Sequence, residues 1–136
     1  MTDTRKIRVV AAGVDAETMA QLAREAGDGR IDAVAVTDMQ GARLVKKGQA
    51  DYYLGTCWSG GGGALAAATA LLGASRVGIA GAPGIAADPD KIAALLEEGK
   101  VAFGFPYEQS RSAIPLIIST ILTRPADVSS EGSTRA

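Results

Sequence analysis

Short apolar runs alternate with longer segments whose apolar residues recur every three or four positions. The apolar runs have the length of strands and comprise residues 7–12, 31–36, 51–56, 77–80 and 101–105. Each run is followed by a segment whose periodicity favours an amphipathic helix. The pattern therefore predicts five strands that alternate with five helices.

The helix boundaries are predicted from residues that satisfy free backbone groups. Asp15 and Asp38 precede the first two helical segments, so we predict that each caps a helix N-terminus. Asp88 and Pro89 mark the start of the fourth helix in the same way, because proline is tolerated at the first helical position. The last helix is predicted over residues 112–122, with a proline in its first turn.

This alternation predicts an α/β fold. Parallel neighbouring strands need crossover helices, and right-handed crossovers place helices on both faces of a sheet. We predict a three-layer α/β/α sandwich with a five-stranded parallel sheet in the flavodoxin-like order 2-1-3-4-5. Residues 1–124 are predicted to form this single domain, with residues 1–5 loose. Residues 125–136 are predicted to be a disordered tail.

Composition restricts the classes of function. The 136 residues are 47% hydrophobic and carry a formal net charge of −1, from 14 basic and 15 acidic side chains. A nearly neutral chain without a basic cluster argues against a nucleic-acid partner. The longest apolar run, residues 64–72, is shorter than the roughly 20 residues of a membrane span. The N-terminus lacks a signal-peptide core, so we expect a cytoplasmic protein without direct membrane insertion.

The single cysteine and the absence of histidine restrict the chemistry further. One cysteine cannot form a disulfide within the chain, and a chain without histidine has neither a Cys/His zinc site nor an imidazole for proton transfer. We predict no metal and no cofactor. The alternative is that the two carboxylates Asp15 and Asp38 beside one crevice bind a sugar hydroxyl or a metal, although their spacing is not a metal-ligand signature. Any acid–base chemistry would use carboxylates, Cys57, lysines or tyrosines.

The strongest functional signal follows the third strand. Residues 56–63 read Thr-Cys-Trp-Ser-Gly-Gly-Gly-Gly and lead into an Ala/Leu-rich helix. Glycines let the backbone approach a ligand closely, and the N–H groups at a helix N-terminus carry partial positive charge. We therefore predict that this loop binds an anion. The alternative is that the glycines let the helix pack closely on the sheet or on another subunit.

The fold favours the same location, because open α/β sheets bind ligands beyond the carboxyl ends of their strands, where the strand order reverses. In the predicted order this point lies between strands 1 and 3. The predicted ligand-binding residues follow strands at this edge and are Gly13, Asp15, Asp38, Thr56, Cys57, Trp58, Ser59, Gly60, Gly61, Gly62, Gly63, Pro83 and Gly84. Residues 106–108 after the fifth strand complete a mixed polar rim.

Three residues of the loop have structural as well as functional interpretations. Cys57 could be a base or nucleophile whose pKa is lowered by backbone N–H groups, or a small buried hydrophobic residue. Trp58 could stack on a ligand or fill the space beneath the loop. Ser59 could cap the third helix and also contact a ligand.

Three segments resemble the bacterial YhfU-like family of small proteins of unknown function. They are Gly48-Gln-Ala-Asp-Tyr-Tyr-Leu-Gly-Thr-Cys57 with the glycine loop, Pro83-Gly84, and Glu98-Gly-Lys-Val-Ala-Phe-Gly104. The resemblance covers roughly residues 6–122. It implies a cytosolic bacterial protein whose gene often lies beside those of a membrane transporter and of small-molecule enzymes, so it implies a transporter as a partner.

The glycine loop is also similar in outline to that of ribose-5-phosphate isomerases of the B type, in which a cysteine is the base in some members. Cys57 and residues 60–63 match that arrangement. The chain departs from it by lacking histidine and by carrying Trp58 and Ser59 in the loop. Cysteine-type IIB components of sugar phosphotransferase systems are a second analogy, but their cysteine follows the first strand.

Three hypotheses about function result. The leading one is a protein that binds a small phosphorylated or carboxylated metabolite through residues 56–63, as an accessory component of transport or metabolism. The second is an isomerase or lyase that uses Cys57 as a proton shuttle. The third is a structural role, in which the small-residue helix over 64–72 builds a homo-oligomer.

Overall fold

The computed structural model describes residues 6–57 and 63–123, and these residues form five strands and five α-helices in alternation. The strands are β1 (Ile7–Gly13), β2 (Ile31–Ala35), β3 (Tyr52–Cys57), β4 (Val77–Ile79) and β5 (Ala102–Pro106). The helices are α1 (Ala16–Gly27), α2 (Asp38–Lys46), α3 (Gly63–Leu72), α4 (Pro89–Glu97) and α5 (Ser110–Thr123). The predicted succession of elements is confirmed.

The strand order corrects one detail of the predicted topology. All neighbouring strands are parallel, and the order is β2-β1-β3-β5-β4, so β4 and β5 exchange their predicted places. β5 is buried along its whole length, whereas β4 has three residues and ends at the partly exposed Ile79. Because an inner strand is covered on both faces, β5 suits the place beside β3 and β4 suits the edge.

The handedness of the crossovers determines which face each helix covers. The connections from β1 to β2 and from β4 to β5 step in one direction across the sheet, and the other two step in the opposite direction. Right-handed crossovers that step in opposite directions lie on opposite faces, so α1 and α4 share one face and α2 and α3 the other. The helix α5 packs beside α1 and α4. The α/β/α sandwich is therefore confirmed.

Each face of the sheet has its own hydrophobic core. On the α1, α4 and α5 side, the largest buried side chains are those of Met19, Leu54, Ile92, Phe103, Phe105, Ile114, Ile117 and Ile118. On the α2 and α3 side they are Val10, Val45, Tyr53 and Leu65. Since successive residues of a strand point to opposite faces, the neighbours Tyr53 and Leu54 belong to different cores.

The structure corrects the predicted caps of the first two helices. Thr37, and not Asp38, caps α2: Gln40 N donates to Thr37 Oγ1 at 3.2 Å, and Thr37 N donates to Gln40 Oε1 at 3.1 Å. This reciprocal arrangement leaves Asp38 as the first helical residue. Asp15 does precede α1, but in the left-handed conformation with φ of 56°, and its side chain makes no capping hydrogen bond.

The predictions for α4 and α5 have different outcomes. Asp88 caps α4 as predicted, accepting a backbone N–H at 2.9 Å, and Pro89 is the first helical residue. The helix α5 begins at Ser110, so Pro115 lies inside it and not in its predicted first turn. A short 3₁₀ turn over residues 107–109 leads into α5. The residues of this turn and of the start of α5 are mostly polar and show no apolar periodicity. The predicted helix therefore began two residues too late.

Several predictions fall outside the described ranges. They concern the loose N-terminus (residues 1–5), the glycine loop (58–62) and the disordered tail (125–136). The backbone on either side of the loop is described: Cys57 is the last residue of β3, and Gly63 is the first of α3. The loop therefore joins the middle strand of the sheet to a helix N-terminus, as the sequence predicts.

Candidate functional site

The carboxyl ends of β1 and β3 are held together by close contacts. Gly13 pairs with Thr56 at the end of the ladder, and a Cβ atom on Gly13 would overlap the Thr56 carbonyl oxygen. Thr56 Oγ1 donates to Val14 O at 2.8 Å, and Val14 N donates to Thr56 O at 3.3 Å. With φ of 107°, position 13 also has a backbone conformation that favours glycine. These contacts fix the backbone that carries Asp15.

Tyr107 brings a side chain from the end of β5 to the same place. Its Oη donates to Asp15 Oδ2 at 3.2 Å. Tyr107 directly follows Pro106, which pairs with Cys57. Because β3 lies between β1 and β5, this hydrogen bond crosses the carboxyl end of β3. The sequence placed Tyr107 only on the rim, because the predicted strand order put β4 between β3 and β5.

Two adjoining open grooves lie between the ends of β1 and β2. One has a volume of about 380 Å³ and is lined by Asp15, Ala16, Glu17, Ala35, Val36, Thr37 and Gln40. The other has a volume of about 410 Å³ and is lined by Gly13, Val36, Thr37, Asp38 and Met39. These described lining residues include three carboxylates and neither lysine nor arginine. Of them, the sequence predicted Gly13, Asp15 and Asp38 and missed Thr37 and Gln40, which form the cap of α2.

The N-terminus of α1 supplies backbone N–H groups to the first groove. The first N–H groups of a helix have no partner within the helix, and Asp15 does not cap them. Met19 N is the first to donate within the turn, to Asp15 O at 3.2 Å. Residues 16–18 therefore present N–H groups at the carboxyl edge of the sheet. Together with the helix dipole, they give this end of α1 partial positive charge.

Asp38 acts electrostatically on a buried tyrosine. Burial raises the pKa of Tyr53 well above its ordinary value of 10.0, and the negative charge of Asp38 raises it further. Tyr53 packs against α2 at Gly41, where a Cβ atom would lie 2.9 Å from the ring carbon Cε2. The glycine thus lets α2 approach β3, and it brings the N-terminus of α2 close to the Tyr53 hydroxyl.

Pro83 and Gly84 form a tight turn after β4. Ala82 and Ile85 exchange N–H···O hydrogen bonds of 2.9 and 2.8 Å around it, and Gly84 has φ of 76°. Gln109, the residue before α5, donates from Nε2 to Ala82 O at 2.7 Å, and this hydrogen bond connects the turn to the start of α5. With β5 between β4 and β3, the turn lies one strand further from Thr56 than predicted. Its role in ligand binding stays a prediction.

The other predicted site residues are those of the loop. Trp58, Ser59, Gly60, Gly61 and Gly62 lie outside the described residues. The ligand-binding and catalytic roles of Cys57 and the loop stay predictions. What the described structure brings together at one edge is Gly13, Asp15, Asp38 and Thr56, with Tyr107 added.

Two features are absent from the part of the chain that the structure describes. Residues 6–57 and 63–123 contain no group of three or more His, Cys, Asp or Glu side chains that could hold a metal ion. Within the same ranges, no helix has the length and apolar character needed to cross a membrane.

Proteins of unknown function match the chain over most of its length. A family model described as "Protein of unknown function DUF2620" matches residues 7–121. The uncharacterized protein YhfU of Escherichia coli (strain K12) is 37% identical over 112 residues, which cover 82% of this chain and 96% of that protein. The YhfU protein of Shigella flexneri matches to the same extent. The resemblance to the YhfU-like family is confirmed.

Solved structures with a similar fold include type B ribose 5-phosphate isomerases. The Trypanosoma brucei protein has a TM-score of 0.65 and 19% identity, covering 88% of this chain and 87% of that one. The Trypanosoma cruzi protein has a TM-score of 0.63 and 16% identity, covering 96% and 99%. At such identities the likeness shows a shared fold, as the outline of the glycine loop suggested.

Proposed function

The chain belongs to the DUF2620 family of proteins of unknown function, and we propose that it binds a small anionic metabolite, phosphorylated or carboxylated, beyond the end of β3. The protein acts in the cytoplasm as a binding or accessory component of transport or metabolism. The observation that carries the proposal is the course of the chain. The middle strand β3 ends at the carboxyl edge, and a five-residue segment with three glycines leads from it to α3, which begins at a fourth glycine, Gly63.

Two helix N-termini support an anion at this position. The helix α3 begins shortly after β3, and α1 begins shortly after β1, the strand that pairs with β3. The first N–H groups of α1 are not capped by the preceding side chain. Helices α1 and α3 lie on opposite faces of the sheet, so their positive ends approach the edge from both sides. An anion held between them is stabilised by backbone N–H groups.

Backbone groups, and not side-chain cations, are the expected source of the attraction. The described residues that line the two grooves include neither lysine nor arginine. Concave runs of successive backbone N–H groups bind anions without such side chains. The carboxylates of Asp15 and Asp38 then surround the less charged part of the ligand.

Thermal unfolding with a panel of sugar phosphates, organic acids and inorganic phosphate tests this proposal. A ligand at about 100 times its Kd stabilises the folded state by about 2.7 kcal/mol. The Gly61→Val variant should lose the stabilisation, because its side chain obstructs the approach to the loop backbone. Ala66→Val, which adds bulk at an exposed position of α3, should keep it. No stabilisation by any compound, or an unchanged response of Gly61→Val, would contradict the proposal.

The likeness of fold to the trypanosomal isomerases supports a second candidate function, a sugar-phosphate isomerase or lyase that uses Cys57. In the isomerase reaction, the Cys57 thiolate removes the proton from C2 of ribose 5-phosphate, a proton moves from the C2 hydroxyl group to the C1 oxygen in the enediol, and the Cys57 thiol returns a proton to C1 of the ketose. In heavy water, NMR of the recovered ribose 5-phosphate should then show deuterium at C2, and Cys57→Ser should abolish the exchange. Exchange at the rate of an enzyme-free sample would exclude this function.

A third candidate is a structural role in a homo-oligomer. Among the side chains of α3 that the structure describes, the exposed ones are all small, namely Ala66, Thr69 and Ala70, and small side chains allow close helix contacts. Light scattering measures the mass directly, and a monomer at micromolar concentration would contradict this role.

The family resemblance also implies a membrane-transporter partner, which co-purification with the membrane fraction would test.

A further inference from the structure

The strand β4 forms one edge of the sheet, and the backbone groups on its outer side are open. Ala80 N donates to Gly104 O across the ladder with β5. Because the backbone groups of successive strand residues point to alternate sides, those of Val77 and Ile79 point away from β5. Val77 N already donates to Ala74 O. The outer side of β4 therefore presents the Val77 carbonyl and both backbone groups of Ile79.

The opposite edge of the sheet is protected, whereas β4 is not. On β2, Arg24 Nη1 donates to the outward carbonyl of Ala33 at 2.6 Å. In the described part of the chain, no side chain makes such a hydrogen bond to the outward groups of Val77 and Ile79. An edge strand with open backbone groups is a template for pairing with another strand.

The side chain beside these open groups is apolar. Ile79 is 40% exposed, and it lies on the same face of the sheet as Val77, which packs against the core on the α2 and α3 side. The helix α3 lies over this part of the sheet and contains no charged residue. A strand that pairs with β4 therefore buries Ile79 without burying a charge of α3.

On the other face, α4 has a pattern of charge that is complementary to itself. Leu95 packs on β4, since a Cβ atom on Gly78 would lie 2.9 Å from Leu95 Cδ2. Lys91 and Glu98 lie about one turn before and one turn after Leu95, and Glu98 still has a helical conformation. These three residues therefore share the side of α4 that lies over the edge strand. Lys91 and Glu98 are both exposed.

A two-fold axis beside Gly78 brings each of these features against its complement in a second copy. Antiparallel pairing of two β4 strands places the Ile79 N–H group of each copy opposite the Val77 carbonyl of the other. It also sets the two α4 helices antiparallel, so Lys91 of each helix meets Glu98 of the other. By symmetry every contact occurs twice.

We infer that the open side of β4 is the docking site of a second copy of this chain, so that two five-stranded sheets join into one continuous sheet. The charges favour a second copy as the occupant, because Lys91 and Glu98 complement each other only when α4 meets α4. One backbone hydrogen bond from each copy contributes little net free energy. Burial of Ile79 and the ion pairs supply the remainder. The inference is independent of the proposed ligand, and it places the contact at β4 and α4 instead of α3.

Sedimentation equilibrium of the full chain tests the inference, and the wild-type protein should be a dimer at micromolar concentration. Glu98→Lys should raise the dimer Kd at least about tenfold, because two lysines then meet at both symmetric contacts. Adding Lys91→Glu should return the Kd to within about threefold of the wild-type value, because the charges are again opposite. Within one chain the two positions are about 10 Å apart along the helix axis, so this restoration reports a contact between copies.

Glu97→Lys is the matched control, because it makes the same charge reversal on a different side of α4 and should leave the Kd unchanged. Ile79→Lys should give a monomer. A wild-type protein that is monomeric up to about 100 μM would overturn the inference. A dimer that withstands Ile79→Lys, or a double variant as weak as Glu98→Lys alone, would also overturn it. Circular dichroism and thermal unfolding establish that each variant is folded.

Discussion

At the scale of single residues, Gly13 determines whether β1 and β3 can end side by side. A side chain there would overlap the Thr56 carbonyl oxygen and would lie 2.9 Å from Thr56 N. Both atoms belong to the backbone of a neighbouring strand, so neither can move without disturbing the sheet. The position therefore tolerates no Cβ atom at all.

The Gly13→Ala variant should lose about 3 kcal/mol of unfolding free energy, through steric overlap added to the strain of a positive φ. Gly48→Ala is the matched control, because Gly48 has φ of 77° but no heavy atom within 4 Å of the place that a Cβ atom would take. The control should lose only about 1 kcal/mol. Urea unfolding measures both values, and equal losses would show that the contact with Thr56 does not matter.

Tyr53 makes the free energy of unfolding depend on pH in the alkaline range. Burial and then the charge of Asp38 raise its pKa in the folded protein above the ordinary value of 10.0. In the unfolded chain the hydroxyl group ionises near that value, so the unfolded state gains stability first as the pH rises. The contribution of Tyr53 is fully present below pH 10.0 and is lost progressively above it.

We expect the unfolding free energy to fall by up to about 1.4 kcal/mol per pH unit from this single group once the pH exceeds the ordinary tyrosine value. The Tyr53→Phe variant should show a correspondingly shallower decline. Urea unfolding of the two proteins at a series of alkaline pH values gives the difference in slope. If the unfolding free energies of the two proteins fall with the same slope, Tyr53 has the same pKa in the folded and the unfolded state.

At the scale of the elements, α1 protects the open edge of β2. Val36 N donates to Ala11 O, so the alternation of the parallel ladder points the Ala33 carbonyl away from β1. Arg24 Nη1 donates to this carbonyl at 2.6 Å. A paired carbonyl and a charged side chain on an edge strand both discourage pairing with another chain.

The Arg24→Ala variant should therefore self-associate more than the wild-type protein. The expected result is a rise in average mass with concentration, measured by light scattering after mild heating. Arg43→Ala removes the same charge from α2 and serves as the control. If the two variants associate equally, the loss of one positive charge, and not the exposed edge, is the cause.

The sequence predicted the elements well because their signals are local. Apolar runs located each strand to within one or two residues, and the Asp88-Pro89 pair located the start of α4. The cap of α1 failed for a reason that is not local. The contacts of Gly13 and Val14 with Thr56, 43 and 42 positions further along, hold the chain in a turn in which Asp15 adopts a left-handed conformation.

At the scale of the whole molecule, the order of the last two strands in the sheet could not be predicted from the periodicity of the sequence. The apolar pattern of a strand does not determine which other strand lies beside it in the sheet. We therefore predicted the common flavodoxin-like order 2-1-3-4-5. The one sequence signal was in β5, where Ala102, Phe103 and Phe105 leave no residue suited to an exposed edge. Tyr107 lies beside the end of β3 only because of this exchange of the last two strands.

The predicted tail gives a test at the same scale. A chain that ends at Thr123 should unfold with the same midpoint as the full chain, because we predict that residues 125–136 contribute no packing. A chain that ends at Gly99 lacks β5 and α5, which carry seven of the 18 buried residues of the larger core, including Phe103 and Phe105. It should show no cooperative transition by circular dichroism. A lower midpoint for the chain that ends at Thr123 would contradict the predicted tail.

The position of β5 has a consequence for synthesis on the ribosome. Of the five strands that the structure describes, β5 is synthesised last, yet it lies between β3 and β4. Until Pro106 leaves the exit tunnel, β3 has an unpaired hydrogen-bonding edge and β4 has no neighbouring strand, because β4 pairs only with β5 among the described strands. Native pairing of β4 therefore requires that β5 first adds to β3. A chaperone that binds the nascent chain before this step binds a chain in which the edge of β3 is still unpaired.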